Sequence, residues 1–328
     1  MSSLPRDAVR PVVLLFNARG DYLLNLPAVR ALSHLFGDRL TMVCRPGART
    51  TFFPYLGIPR VHEPPTSFVD GRYSFDPRLV SSAIAPVDLV LSLNPWHGKV
   101  LDELLALLGP ASSFGFHPTF SHPVDLDFGK HSADLAFDIP EALDGSLKIE
   151  TFASPPELLA EAVAFADRVR TMLSGRHAVV VHGETKPEKM WPAERFCAVV
   201  DWLLEHHSDV MVLDVGGPGL LEGSRHPSRI VPCGSLPLHY AMALVGIADL
   251  FIGVDSCFLH AADLFRVPGV GLFGPTDPHE FGFRFAPHRH ANGHGTMEAI
   301  SVSAVIDALE PLLEETRPRP VRRDPAPA

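Results

Sequence analysis

The sequence predicts an α/β protein made of two similar halves, each a parallel sheet with helices on both faces. Three observations predict it. Short, β-branched apolar runs alternate with stretches whose apolar residues recur at helical spacing. That alternation lapses near residue 110 and restarts near residue 177. A chain of 328 residues has the length of about two ordinary domains.

The run at 11–16, PVVLLF, is the first strand. It ends at Asn17-Ala18-Arg19-Gly20-Asp21, after which Leu23, Leu24, Leu26, Val29, Leu32 and Leu35 repeat at helical spacing. Strand, glycine turn and helix therefore follow one another. LTMVC at 40–44 and VDLVLSL at 87–93 are further strands. Between 110 and 153 the pattern becomes irregular and acidic (Asp125, Asp127, Asp134, Asp138, Glu141, Asp144), and loops with a domain border are expected. The stretch 155–175 has proline near its start and glycine at its end, and reads as a helix joining the halves. Strands at 177–183, 209–217, 249–255 and 267–274 then alternate with helices at 193–207, 236–248 and 256–265. SVSAVIDALEPLLEE at 301–315 is a last amphipathic helix, followed by a Pro/Arg-rich tail expected to be disordered.

With 46% apolar and 20% charged residues, the chain belongs with globular proteins. No apolar run reaches the roughly 18–20 residues that cross a bilayer. The opening MSSLPRDAVRP lacks the layout of a secretory signal, so a soluble, cytoplasmic protein is expected. Cys44, Cys197, Cys233 and Cys257 form no CxxC pair and read as reduced, buried thiols. The net charge of −10 is uneven: residues 1–80 hold ten arginines against six acids, residues 81–160 three lysines against eleven acids. Only the tail at 317–323 is strongly basic, so no nucleic-acid partner is expected.

Open parallel sheets bind ligands beyond the carboxyl ends of their strands, so each strand-to-helix turn is a candidate site. At Arg19-Gly20-Asp21, glycine permits close backbone approach, and Asp21 is either a helix cap or a catalytic carboxylate. The loop from His182 through Thr185, Lys186 and Lys189 to Trp191-Pro192 is either a solvated charged loop or a diphosphate cradle of ammonium groups and backbone amides. In Asp255-Ser256-Cys257-Phe258-Leu259-His260, unpaired amides at a helix start attract anions, Ser256 adds a hydroxyl, and His260 lies one turn on; the alternative is a cap and a packed histidine. Phe273-Gly274-Pro275-Thr276-Asp277-Pro278 makes a rigid turn at the same sheet end. His279, His288, His290 and His294 lack partners at recognisable ligand spacing, so no metal site is expected.

In this order the motifs resemble glycosyltransferase family 9, the heptosyltransferases of bacterial lipopolysaccharide cores. The resemblance rests on strand-Gly20-Asp21-helix with Leu26-Pro27-Ala28, on Lys189-x-Trp191-Pro192, on Asp255-Ser256-x-x-x-His260 and on Leu272-Phe273-Gly274-Pro275-Thr276-Asp277. It implies a GT-B fold, two Rossmann-like domains with parallel sheets facing across a cleft. Residues 1–153 would form an acceptor-binding domain, 154–176 the linking helix, and 177–300 a nucleotide-sugar-binding domain. A terminal helix at 301–316 would pack back on the first domain, before a disordered tail at 317–328. The implied activity is inverting, metal-independent transfer of a sugar, heptose from ADP-heptose, to a hydroxyl. The acceptor would be a glycolipid of the lipopolysaccharide core, with peripheral membrane contact, or a small natural product. No cofactor beyond the donor substrate is implied.

By the same resemblance Asp21 matches the general base, and Gly20 joins the donor-side residues. Lys189 matches the lysine on the donor phosphates, with Thr185 assisting, and Asp255, Ser256, Cys257 and His260 match the donor-binding turn. The chain departs from the family at Cys257-Phe258, where glycine usually follows Asp-Ser, at Pro237-Leu238, usually Ser-Leu, and at Gly216-Gly217-Pro218-Gly219, with no acid until Glu222. Two other readings accompany it: a sugar epimerase on the same fold, and a catalytically degenerate nucleotide-sugar-binding protein. Arg45, Arg49, Arg60 and Arg72 would suit a phosphorylated acceptor, whereas the acidic block at 125–150 would suit an amine-bearing one.

Overall fold

A computed structural model describes residues 7–69, 72–183, 186–217 and 219–316. The first half contains β1 (Pro11–Leu15), β2 (Thr41–Cys44), β3 (Arg60–His62), a small antiparallel hairpin of β4 (Ser67–Val69) and β5 (Arg72–Ser74), then β6 (Leu89–Ser92), β7 (Ser112–Gly115) and β8 (His122–Pro123). The second contains β9 (His177–His182), β10 (Val210–Gly216), β11 (Ile230–Gly234), β12 (Leu250–Val254), β13 (Gly269–Phe273) and β14 (His288–Asn292). The two six-stranded sheets run β3-β2-β1-β6-β7-β8 and β11-β10-β9-β12-β13-β14, parallel throughout. Each is the doubly wound order of a Rossmann sheet, reversing direction between β1 and β6 and between β9 and β12.

The central strands explain their own sequences. Every residue of β1 and β12 is buried, as a strand with helices on both faces requires, so Pro-Val-Val-Leu-Leu and Leu-Phe-Ile-Gly-Val are apolar without alternation. Where the strand order reverses, a crevice opens at the carboxyl ends of the strands. The helices Arg19–Leu24, after β1, and Cys257–Leu264, after β12, start there and pack on each other.

The halves are joined by more than the linking helix Ala160–Met172, which packs on Leu238–Gly246. Arg284 bonds to the carboxylate of Asp134 at 2.9 Å and reaches Glu150 at 3.1 Å. His131 donates through Nε2 to the Gly282 carbonyl at 2.9 Å, since its Nδ1 accepts from Ala133 N. Arg266 and His239 add bonds to the carbonyls of Ala153 and Thr50.

Three expectations need correction. The segment 110–153 is not mainly loop: it holds β7, β8, the helix Ser132–Leu143 and the short helix Ile149–Phe152. Its longest helix is capped by a histidine, His131, and carries Pro140, so the usual start and stop signals are missing. The linking helix begins at Ala160 rather than 155, because Pro155 and Pro156 hold the preceding residues extended. The terminal helix Val302–Thr316 does not pack on the first half. It lies on β13, β14 and the helix Ala193–His206, with Val305, Leu309 and Leu312 buried among Val199, Leu203 and Trp191. Leaving β14 at Asn292, the chain has a short link before Val302 and returns over its own sheet, whose outer face its apolar stripe covers. The expected disordered tail at 317–328 falls outside the described residues. Among the described residues no helix is long and apolar enough to cross a membrane.

Leu309 tests this placement. Leu309→Ala should destabilise the second half by about 2–5 kcal/mol, read as a lower urea midpoint with hydrogen exchange rising in β13 and β14 while β1 and β2 keep their protection.

Candidate active site

Asp21 is the third residue of the helix Arg19–Leu24, and its Oδ2 accepts from the Ala18 N–H at 2.9 Å. It therefore does cap the helix by reaching back to its start. The same carboxyl is half-buried at the cleft. Burial pushes its pKa up; the Ala18 N–H opposes that, the Asp255 carboxylate adds to it, and Lys189 and Lys186 pull it down. A carboxyl from the first half and a carboxyl from the second thus share one electrostatic space.

Gly20 makes this possible. A Cβ there would lie 3.2 Å from His260 Cδ2 and 3.4 Å from its Nε2, with the Cys257 amide nitrogen at 3.7 Å. A methyl there would make the His260 ring give by a few tenths of an ångström, so glycine lets the two helix starts meet without that shift.

The lysine-bearing loop ends in a 3-10 turn, Pro187–Lys189. Two residues on, Trp191 is 2% exposed and donates from Nε1 to the Ile300 carbonyl at 3.1 Å. That anchor fixes the loop, and Lys189 Nζ lies 2.5 Å from Asp255 Oδ2. Asp255, 5% exposed, follows β12 directly. His260 Nε2 lies 3.7 Å from Asp255 Oδ1, yet burial holds the imidazole down to about 4 despite the pull of Asp255. It is neutral at physiological pH and acts as a polar packing group rather than a cation. Ser256 begins the helix Cys257–Leu264 without a side-chain cap, and its Oγ has no hydrogen-bond partner among the described residues. The Cys257 and Phe258 amides, at the start of the helix, and this hydroxyl lie at its positive end, whereas the Leu259 and His260 amides donate to the Ser256 carbonyl.

Of the sequence-predicted residues, Asp21, Gly20, Lys189, Asp255, Ser256, Cys257 and His260 lie at the crevice. Thr185 lies outside the described residues. The departure at Cys257-Phe258 resolves into two roles. Phe258 is core, packed edge-on against His182 with centroids 4.6 Å apart. Burial pushes the Cys257 thiol up to about 11, against the pull of Arg19 and of the Cys257 and Phe258 amides, so it stays a neutral thiol at the helix start. Thr276 is half-buried with its Oγ1 enclosed and without a hydrogen-bond partner among the described residues, and Asp277 caps the helix Pro278–Phe281.

Sequence reasoning missed Glu280, which lies half-buried on that short helix. Burial and the carboxylates of Asp277, Asp21 and Asp255 raise its pKa. Its one available signal is position, three residues beyond the Asp277 cap at the carboxyl end of β13. Between the halves lies a cleft of about 900 Å³, lined by His131, Asp134, Glu150, Asp277, Arg284 and His288. Two of its histidines stack, His288 on His290 with centroids 4.7 Å apart, and His131 bonds to the Gly282 carbonyl. Among the described residues, no group of three or more His, Cys, Asp or Glu is placed to hold a metal.

A sequence model of glycosyltransferase family 9 (heptosyltransferase) matches residues 134–299, just over half of the 328-residue chain. Lipopolysaccharide heptosyltransferase 3 of Escherichia coli is 29% identical over 213 residues, which cover 58% of this chain and 60% of that protein. A glycosyltransferase family 9 structure from Veillonella parvula superposes with a TM-score of 0.73 at 22% identity, covering 93% of this chain and 97% of its own. The E. coli heptosyltransferase WaaC, solved with ADP, gives 0.62 at 16% identity over 94% of this chain and 100% of its own. The structural likenesses show the GT-B fold.

The neutral state of His260 has a measurable sign. An unfolded chain takes up a proton at an imidazole with pKa about 6.5, whereas the native ring resists until about 4. Native stability is therefore lost as pH falls through that window. The His260 ring resonances, assigned with His260→Gln, should stay at their neutral positions from pH 7.5 to 5; titration near 6.5 would contradict the burial argument.

Proposed function

The chain belongs to glycosyltransferase family 9, and from that premise we propose that it is an inverting transferase moving a sugar, heptose from ADP-heptose, onto an acceptor hydroxyl held by the first half. The observation that carries the reading is the meeting of Asp21 with the Lys189–Asp255 pair across the crevice. The ADP bound by WaaC and the heptosyltransferase name of the E. coli relative support the donor.

In this mechanism Ala18 N–H holds Asp21 Oδ2, and Oδ1 takes the proton of the attacking hydroxyl. Burial and the neighbouring Asp255 carboxylate raise the basicity of Asp21. The acceptor oxygen bonds to the anomeric carbon from the face opposite the diphosphate as the bond to the diphosphate oxygen breaks, so configuration inverts. The departing ADP keeps the electron pair. Lys189, the Ser256 hydroxyl and the Cys257 and Phe258 amides meet its charge. An ammonium and a helix start do here what a divalent cation would otherwise do, so the proposed transfer is metal-independent.

Asp21→Asn should lower kcat by about 10²-fold or more, measured as acceptor-dependent ADP release in EDTA, while calorimetric ADP affinity stays unchanged; full activity would remove Asp21 as base. Lys189→Ala should weaken ADP binding by about 10- to 100-fold, the worth of a charge-assisted bond. An unaltered ADP affinity would take Lys189 out of the phosphate site, and equal binding of ADP, UDP and GDP would overturn the adenine assignment.

A further inference from the structure

Against Asp21 lies a cavity of about 160 Å³. The first half walls it mainly with Leu24, Leu93, Phe116 and Leu135, with the uncharged polar Asn17, Asn25 and Ser132 among them, and the second closes it with Phe281 and Glu280. At its edge Phe128 is 59% exposed, an aromatic face left uncovered beside an apolar hollow. Among the described residues, its only charged lining groups are the acids Asp21 and Glu280. Among the described residues, the basic side chains of the first half lie outside this lining. Arg19 and Arg45 line a separate recess of about 240 Å³ with Tyr22 and Leu238. Arg60 is bonded to the Asp38 and Arg39 carbonyls at the amino-terminal end of β2, away from the crevice.

We propose that the acceptor carries its nucleophilic hydroxyl on an uncharged, apolar body about the size of one aromatic ring, seated in this cavity, and that Glu280 excludes anionic acceptors. This rests on Asp21 as the base. Size and polarity agree, because an apolar-walled cavity of about 150 Å³ takes a benzene-sized molecule. Charge agrees as well. A phosphorylated body would bring its negative charge against two carboxylates in a partly desolvated space, and Glu280 already has a raised pKa from Asp277, Asp21 and Asp255 beyond the effect of burial. An uncharged ring meets Phe116, Phe281 and Phe128 without that repulsion.

Benzyl alcohol and benzyl phosphate are the matched probes, followed by ligand-observed NMR on the full chain with and without ADP. Benzyl alcohol should bind at least about tenfold more tightly than benzyl phosphate, like charges facing each other being costly. Glu280→Gln should narrow that ratio. Ser132→Phe and Ala136→Phe, which fill the cavity from the helix Ser132–Leu143, should each remove the benzyl alcohol signal while ADP binding reports an intact fold. Equal or tighter binding of benzyl phosphate, binding of neither probe, or a benzyl alcohol signal that survives both filled variants would overturn the proposal. Failure of the wild-type chain to bind ADP counts against the donor reading instead, since the ring probes are also read without ADP.

Discussion

The site depends on one close contact, the approach of the Gly20 backbone to His260 and to the Cys257 amide. It brings the helix that follows the first central strand of one sheet against the helix that follows β12 of the other. Carboxylates from both halves then fall within reach of each other's field, and each shifts the other's neighbours. Asp21 becomes more basic, Glu280 becomes harder to ionise, and His260, pressed between the halves, stays neutral. A protonated His260 would add a buried cation beside Lys189. Its neutrality leaves the ammonium at Asp255 as the half-buried cation of the crevice bonded to a site carboxylate.

The contact is supported by bonds around the rest of the interface. Arg284 with Asp134 and Glu150, His131 with Gly282, Arg266 with Ala153 and His239 with Thr50 tie the halves on either side of the crevice. The ion pairs among them are partly exposed, and such pairs contribute about 0–1 kcal/mol each. They orient the halves more than they bind them.

On the proposed reading, the acceptor side carries the more distinctive chemistry. A site for a phosphorylated sugar would call for arginines around the base, and the first half has many. The fold sends them elsewhere: Arg60 to carbonyls at the opposite end of the sheet, Arg45 to the face of Tyr73 at 4.0 Å and to the Asn17 carbonyl. What remains beside Asp21 is mostly leucine and phenylalanine, with the uncharged polar Asn17, Asn25 and Ser132 and a second acid. On the proposed reading, this local wall and not the composition of the domain sets what kind of hydroxyl can approach.

The sequence by itself determined the central strands of the two parallel sheets and the strand-to-helix turns at their carboxyl ends, because both are short-range features. A fully apolar run of five residues marks a central strand wherever it occurs. A Gly-Asp or Asp-Ser pair after such a strand lies at the carboxyl edge of the sheet whatever the rest of the chain does. Asp21, Lys189, Asp255 and His260 were legible for that reason. The tertiary structure alone decided how these turns meet, and it decided whatever depends on residues far apart in the chain. Arg284 and Asp134 are 150 positions apart; Glu280 acquires meaning only where it faces Asp21. The terminal helix shows the same limit, since an amphipathic stripe announces that it will be buried but not against which sheet. Short link length and the uncovered face of β13 and β14 settled that, and neither is written in the helix.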